Sequence, residues 1–244
     1  MSVLPKIDMP TYTVKLPVSE LTIKYRPYNV KEQKILAMAK ESNDNNALVD
    51  CILQVVQNCC LDTTDISQLP LADVEFLFYQ LRARSESEIV ELRYKCENTI
   101  DDEGKKCNNI MGYELNLLTE LEVSKNENLS PVIEITDKVG LKLYYERFEK
   151  SAIEAGTIPT PQQILEIIAR NIEFIYDENS AYSAKDIPLQ NIVDWVGELP
   201  PEKYVKIEEF FANKPKIIKK IDIKCSKCGF DHNIGVRDIF DFFI

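Results

Sequence analysis

Alternation opens the chain. Tyr12, Val14 and Leu16 alternate with polar or short residues, positions 17–20 have turn composition, and Leu21, Ile23 and Tyr25 resume the period of two. That pattern predicts a β-hairpin with one buried face. Asn29 followed by Glu32 has capping-box spacing, so a helix starts there with Ile35, Leu36, Met38 and Ala39 on its apolar side. Beyond a polar break at 42–46, Leu48, Ile52, Val55, Val56 and Cys59 recur at helical spacing. Pro70, at a first-turn position, opens a third helix carrying Val74, Leu77, Phe78 and Leu81.

From Ile89 the period changes to two. Val90, Leu92 and Tyr94 lie on one side of a strand that delivers Cys96; a polar loop follows, then Cys107, and Tyr113, Leu115 and Leu117 resume the alternation. Residues 124–130 form a polar connector. A second hairpin is predicted from 132–135, the turn 136–140 and 141–145. Thr160, Pro161 and Gln163 make a capping box with Pro at the first helical position, and Ile164, Ile167, Ile168 and Ile172 point inward from that helix. Residues 176–186 have loop composition. Two further helices follow, around 189–196 and over 202–212, the second with a stripe of Tyr204, Ile207, Phe210 and Phe211 and a stop near Pro215. Alternating runs at 217–223 and 230–236 then flank Lys224-Cys225-Ser226-Lys227-Cys228-Gly229, a zinc-knuckle turn.

Composition narrows the reading. The 244 residues are 45% hydrophobic and 28% charged, as in ordinary globular chains, and no apolar run approaches the roughly 18 residues of a membrane span. The first residues lack a signal pattern, so the expected setting is a cytoplasm. With 29 basic and 40 acidic residues the net charge is −11, which repels phosphate backbones and disfavours bulk nucleic-acid binding. Lys95, Lys105, Lys106, Lys224 and Lys227 gather beside the cysteines; four thiolates on Zn²⁺ leave a net negative site that such ammonium groups stabilise.

Seven cysteines is an odd number for a complete disulfide framework. Cys51, Cys59 and Cys60 lie in an apolar helical run and read as buried thiols. A closed structural zinc site takes four ligands, and the partners for Cys225 and Cys228 are Cys96 and Cys107, the other pair set between strand-like runs. The wide spacing of that upstream pair leaves three readings open: a four-cysteine zinc site, a ribbon that keeps the strands without metal, or another ligand set. His232 is a substitute ligand in the last, or a half-exposed strand residue. The C-terminal Phe240, Phe242 and Phe243 form a candidate partner-binding patch, unless they dock on the chain's own core.

Catalytic chemistry finds little support. One histidine and seven glycines leave few places for imidazole-based schemes or phosphate-cradling loops, and the metalloprotease and nucleophile-elbow motifs are absent. Adjacent carboxylates such as Asp101 with Asp102 and Glu208 with Glu209 do not face each other on a helix.

Several stretches together resemble the T4-type bacteriophage baseplate protein family. Leu16-Pro17, Lys24-Tyr25-Arg26-Pro27-Tyr28 and Val30-Lys31-Glu32-Gln33-Lys34-Ile35-Leu36 are similar to its N-terminal signature. Leu199-Pro200, Ile207-Glu208-Glu209-Phe210-Phe211, Pro215, Cys225-Ser226-Lys227-Cys228-Gly229 and Asp241-Phe242-Phe243 are similar to its C-terminal end. The resemblance implies a non-enzymatic hub subunit, or a chaperone of hub assembly, whose partners are other baseplate and tail-hub proteins rather than nucleic acid, membrane or a small-molecule substrate. It places the protein in the host-cell cytoplasm during assembly, and in the tail baseplate if it stays in the virion. The competing reading is a zinc-ribbon regulator that binds nucleic acid.

The expected architecture is α+β: an N-terminal hairpin and helices over 1–86, the first half of a discontinuous zinc-ribbon-like unit over 87–123, a hairpin plus helical insertion over 124–212, and the second half of the ribbon with the aromatic tail over 213–244.

Overall fold

A computed structural model describes residues 5, 7–42, 44–126, 128–145 and 160–236. Six α-helices and four small antiparallel sheets make these residues mixed α+β. The N-terminal hairpin pairs β1 (Tyr12–Lys15) with β2 (Thr22–Tyr25). Its buried face holds Leu16, Ile23 and Tyr25, whereas Leu21 falls at the turn and stays exposed. The helix α1 (Val30–Glu41) starts at the expected capping box: Asn29 Oδ1 accepts from Lys31 N and Glu32 N, and Glu32 Oε2 accepts from Asn29 N. Leu36 and Ala39 are buried, but Met38, assigned to the apolar side, is 70% exposed because the helix buries only a narrow stripe.

Two helices complete this layer, α2 (Asn45–Cys59) and α3 (Leu71–Ser85). Pro70 is the residue that caps α3 rather than its first turn. Ile52, Val55, Val56, Cys59, Val74, Leu77, Phe78 and Leu81 are all buried in one core. Cys51 and Cys60 are only half-buried. Two polar contacts lock the layer to the hairpin. Asp73, fully buried, accepts from Val18 N and Ser19 N at 2.8 Å each. Arg26 grips Glu32 with both terminal nitrogens, at 2.7 and 2.9 Å.

The strands β3 (Ile89–Lys95) and β4 (Ile110–Asn116) form a hairpin. Directly after it comes β5 (Glu122–Ser124). The chain then builds a second core and returns as β10 (Lys216–Lys224) and β11 (Asp231–Val236), and β10 lies between β11 and β5 in a three-stranded sheet. The two halves of the ribbon thus meet through backbone pairing, with Ile217 opposite Val123. Glu120 ties them as well, accepting from Tyr113 Oη at 2.6 Å and lying 3.1 Å from Lys219 Nζ. Leu115, Leu117, Ile217 and Ile221 join the same core as the N-terminal helices.

The second core is less helical than the sequence indicates. It sets β6 (Val132–Glu134), β7 (Gly140–Leu143), β8 (Ile172–Tyr176) and β9 (Ala181–Ser183) in one sheet, packed with α4 (Pro161–Arg170), α5 (Leu189–Gly197) and α6 (Pro201–Ala212). Ile172, assigned to the preceding helix, begins β8, and residues 176–186, assigned to a loop, hold the β8–β9 turn, β9 and a short 3-10 turn. Asp177 closes that turn by accepting from Asn179 N and Ser180 N. Gly140 faces Tyr176 across β7 and β8, and a Cβ there would collide with the Tyr176 phenol ring.

Candidate metal centre

Each pair of cysteines is delivered by its own turn. Beyond β3 and β4 the two chains continue as a narrow arm: Cys96 N donates to Asn109 O, Asn108 N to Cys96 O, and Cys107 N to Asn98 O, while Thr99 bridges Lys106. Cys96 and Cys107 therefore stand opposite each other at the base of a folded arm, and their wide spacing does not separate them. Asn108 takes a positive φ of 56° at the arm's base, and Gly104, at φ 83°, lies in the turn at its tip, donating to Asp101 O. The downstream turn is tighter. Cys225 N donates to Phe230 O and Gly229 N to Cys225 O, and Gly229, at φ 76°, supplies the left-handed residue that a side chain would strain.

The four sulfurs converge. Cys96, Cys107, Cys225 and Cys228 place their Sγ atoms within 4.8 Å of one another, with Cys96 to Cys228 at 3.6 Å and Cys107 to Cys225 at 3.8 Å. A regular tetrahedron of thiolates about 2.3 Å from zinc has edges of about 3.8 Å. Cys96, Cys107 and Cys225 are buried and Cys228 is half-buried, with Met111, Tyr94 and Ile223 packed around them.

Polar neighbours point at the sulfurs. Asn98 Nδ2 donates to Cys228 Sγ at 3.7 Å and Asn109 Nδ2 to Cys225 Sγ at 3.5 Å; His232 Nε2 is 3.1 Å from Cys96 Sγ. The Cys225 thiol is lowered to about 6, first by the backbone N–H of Cys228 and further by Lys227 N–H and Asn109. Burial instead pushes Cys96 up to about 12 and raises Cys107. A cation held by all four would bind them as thiolates.

Sequence reasoning found the four cysteines and missed their amide donors, although a repeated Cys-x-Asn, Cys96 to Asn98 and Cys107 to Asn109, marked them. The flanking lysines are partly matched by carboxylates: Lys106 lies 3.9 Å from Glu97 and Lys224 3.9 Å from Asp231, and Lys227 Nζ donates to Cys107 O. Phe240, Phe242 and Phe243 lie outside the described residues. A groove of about 330 Å³ opens beside β8 and β9, lined by Ile175, Tyr176, Tyr182, Ile192 and Trp195 with Asp177 at its edge. Its hairpin wall is the segment the sequence pattern assigns to a loop. Among the described residues no helix is long and apolar enough to cross a membrane.

Fold and site together define an α+β protein with two hydrophobic cores and a four-cysteine cluster where two remote turns meet. The chain belongs to the T4 bacteriophage base plate protein family, whose model matches residues 9–244. Neither the curated proteins nor the solved structures gave a match. Family membership implies a place in the tail baseplate and contact with other phage tail or baseplate proteins.

Proposed function

We propose that this protein is a non-enzymatic component of the contractile-tail baseplate hub, or a chaperone of hub assembly, that works by protein–protein contact and holds a structural zinc ion at Cys96, Cys107, Cys225 and Cys228. The observation that carries the role is the extent of the family match, which spans both cores and the cysteine cluster. The zinc reading is supported by sulfur separations close to the edge of a zinc tetrathiolate. When bound, the ion supplies charge and fixed geometry: it ties the arm after β3 to the turn after β10, and so clamps both ends of the chain's second core.

The partners in this reading are hub proteins met in the host-cell cytoplasm. The net charge of −11 and the carboxylates beside Lys106 and Lys224 support leaving nucleic acid out. Affinity capture of the tagged chain from infected cells, read by mass spectrometry, is expected to return tail-hub proteins. Detection of the chain in purified particles makes it a subunit, and absence from them makes it a chaperone. Capture without any baseplate protein contradicts the role.

A further inference from the structure

Among the other described side chains that hydrogen-bond the four sulfurs, His232 is the one whose contacting atom can itself ligate zinc. Asn98 and Asn109 reach their sulfurs through amide nitrogens, which only donate. His232, the chain's single histidine, brings an imidazole nitrogen to 3.1 Å from Cys96 Sγ, and imidazole is a standard zinc ligand alongside cysteine. Its position is fixed from two sides. Across β10 and β11 it pairs with Ile223, two residues before Cys225, and its ring packs edge-on against Phe230 with centroids 4.8 Å apart.

We propose that His232 is a reserve ligand of the centre: it hydrogen-bonds the Cys96 thiolate while four sulfurs hold the metal, and it occupies the Cys96 vertex when that thiolate is withdrawn. The centre then changes from four cysteines to three cysteines and one histidine. Ligand exchange is the whole step. As Nε2 binds, its proton passes to the departing Cys96 sulfur, which leaves as the thiol, and Nδ1 takes one proton from solvent; no electrons move. To fill that vertex Nε2 moves by about its present 3.1 Å separation from the sulfur, because a zinc–nitrogen bond of about 2.0 Å ends close to the position that a sulfur at about 2.3 Å vacates. The other three cysteines have no imidazole beside them among the described residues. The centre is therefore expected to tolerate loss of Cys96 and not loss of Cys107. This inference rests on the zinc reading above.

Cobalt substitution of the full chain tests it. Wild type is expected to take up one equivalent with a four-thiolate spectrum. Cys96→Ala is expected to keep about one equivalent with weaker charge-transfer bands and d–d bands shifted to higher energy, the signature of three sulfurs and one nitrogen. Cys107→Ala, and Cys96→Ala combined with His232→Gln, are expected to lose at least tenfold in affinity. Glutamine keeps an N–H donor and removes the ligating nitrogen, so the pair separates coordination from hydrogen bonding. If Cys96→Ala loses metal as fully as Cys107→Ala, or the added His232→Gln changes nothing, the proposal is overturned while the zinc reading stands. No cobalt uptake by folded wild type overturns both. Should Cys96→Ala fail to fold, zinc transfer to a chelator decides: His232→Gln in the otherwise native chain is expected to release zinc several-fold faster than wild type, and equal rates refute the reserve role.

Discussion

The Sγ atoms of Cys107 and Cys225 are 3.8 Å apart although 118 positions separate the residues. Between them the described residues from Ile133 to Phe210 include a separate apolar interior, so the contact closes a structured insertion rather than a long slack loop. Backbone pairing of β5 with β10 already draws the two ribbon halves together. The cysteines then fix the far end of the arms, where only short turns remain to be held.

Cys225→Ser removes a thiol that backbone N–H groups make more acidic and one of the four converging sulfurs. With zinc bound, the variant is expected to melt well below wild type, and a chelator is expected to lower the wild-type transition towards that of the variant. Calorimetry with and without chelator checks this; superimposed curves for all samples would remove the metal from the account.

Arg26 and Glu32, inside the N-terminal signature, are half-buried and buried, and their pairing holds the Glu32 carboxyl below its ordinary value. A depressed carboxylate contributes stability that is fully present above the unfolded value of about 4.3 and is lost as pH falls through the lower folded value. Arg26→Ala is expected to cost about 3 kcal/mol near neutral pH by stranding the carboxylate. Its deficit should shrink below pH 4, as urea unfolding across pH would show; a pH-independent deficit would mean that the pair contributes only packing.

Asp73 satisfies two backbone N–H groups of the hairpin turn from inside the core. Asp73→Ala leaves both without an acceptor and is expected to cost about 2 to 6 kcal/mol, at roughly 1 to 3 kcal/mol per buried unsatisfied group. Urea denaturation measures it. A loss under about 0.5 kcal/mol would show that water replaces the carboxylate.

Phe210 is 1% exposed and stacks on Tyr145 at 5.5 Å between centroids. Phe210→Ala is expected to cost about 3 to 5 kcal/mol, the usual range for emptying a large aromatic site. A shift below about 1 kcal/mol would mark it as a surface contact instead.

Local chemistry was legible where it is short-range. Asn29 with Glu32, and Thr160 with Gln163, announce their helices because each capping box is complete within four residues. The downstream turn announces itself in the same way through Cys225, Cys228 and Gly229. The β8 strand was hidden because Ile172 continues the spacing of Ile164 and Ile168, so periodicity alone carries the helix onward. Asn171 ends it, bonding back to Ile168 O and through its side chain to Ile167 O. The base of the upstream arm was hidden for a tertiary reason: nothing local says that the residues between Cys96 and Cys107 zip into a ribbon. Asp73 was equally silent, since its partners Val18 and Ser19 lie on another element.

The most direct test is the zinc content of the native chain, purified under reducing conditions without added metal and measured by elemental mass spectrometry against amino-acid analysis. About one zinc per chain is expected, falling to background when Cys107 and Cys225 are both changed to serine. A folded wild-type chain with no zinc, and no difference from that double variant, would contradict the claim that a metal joins the two turns.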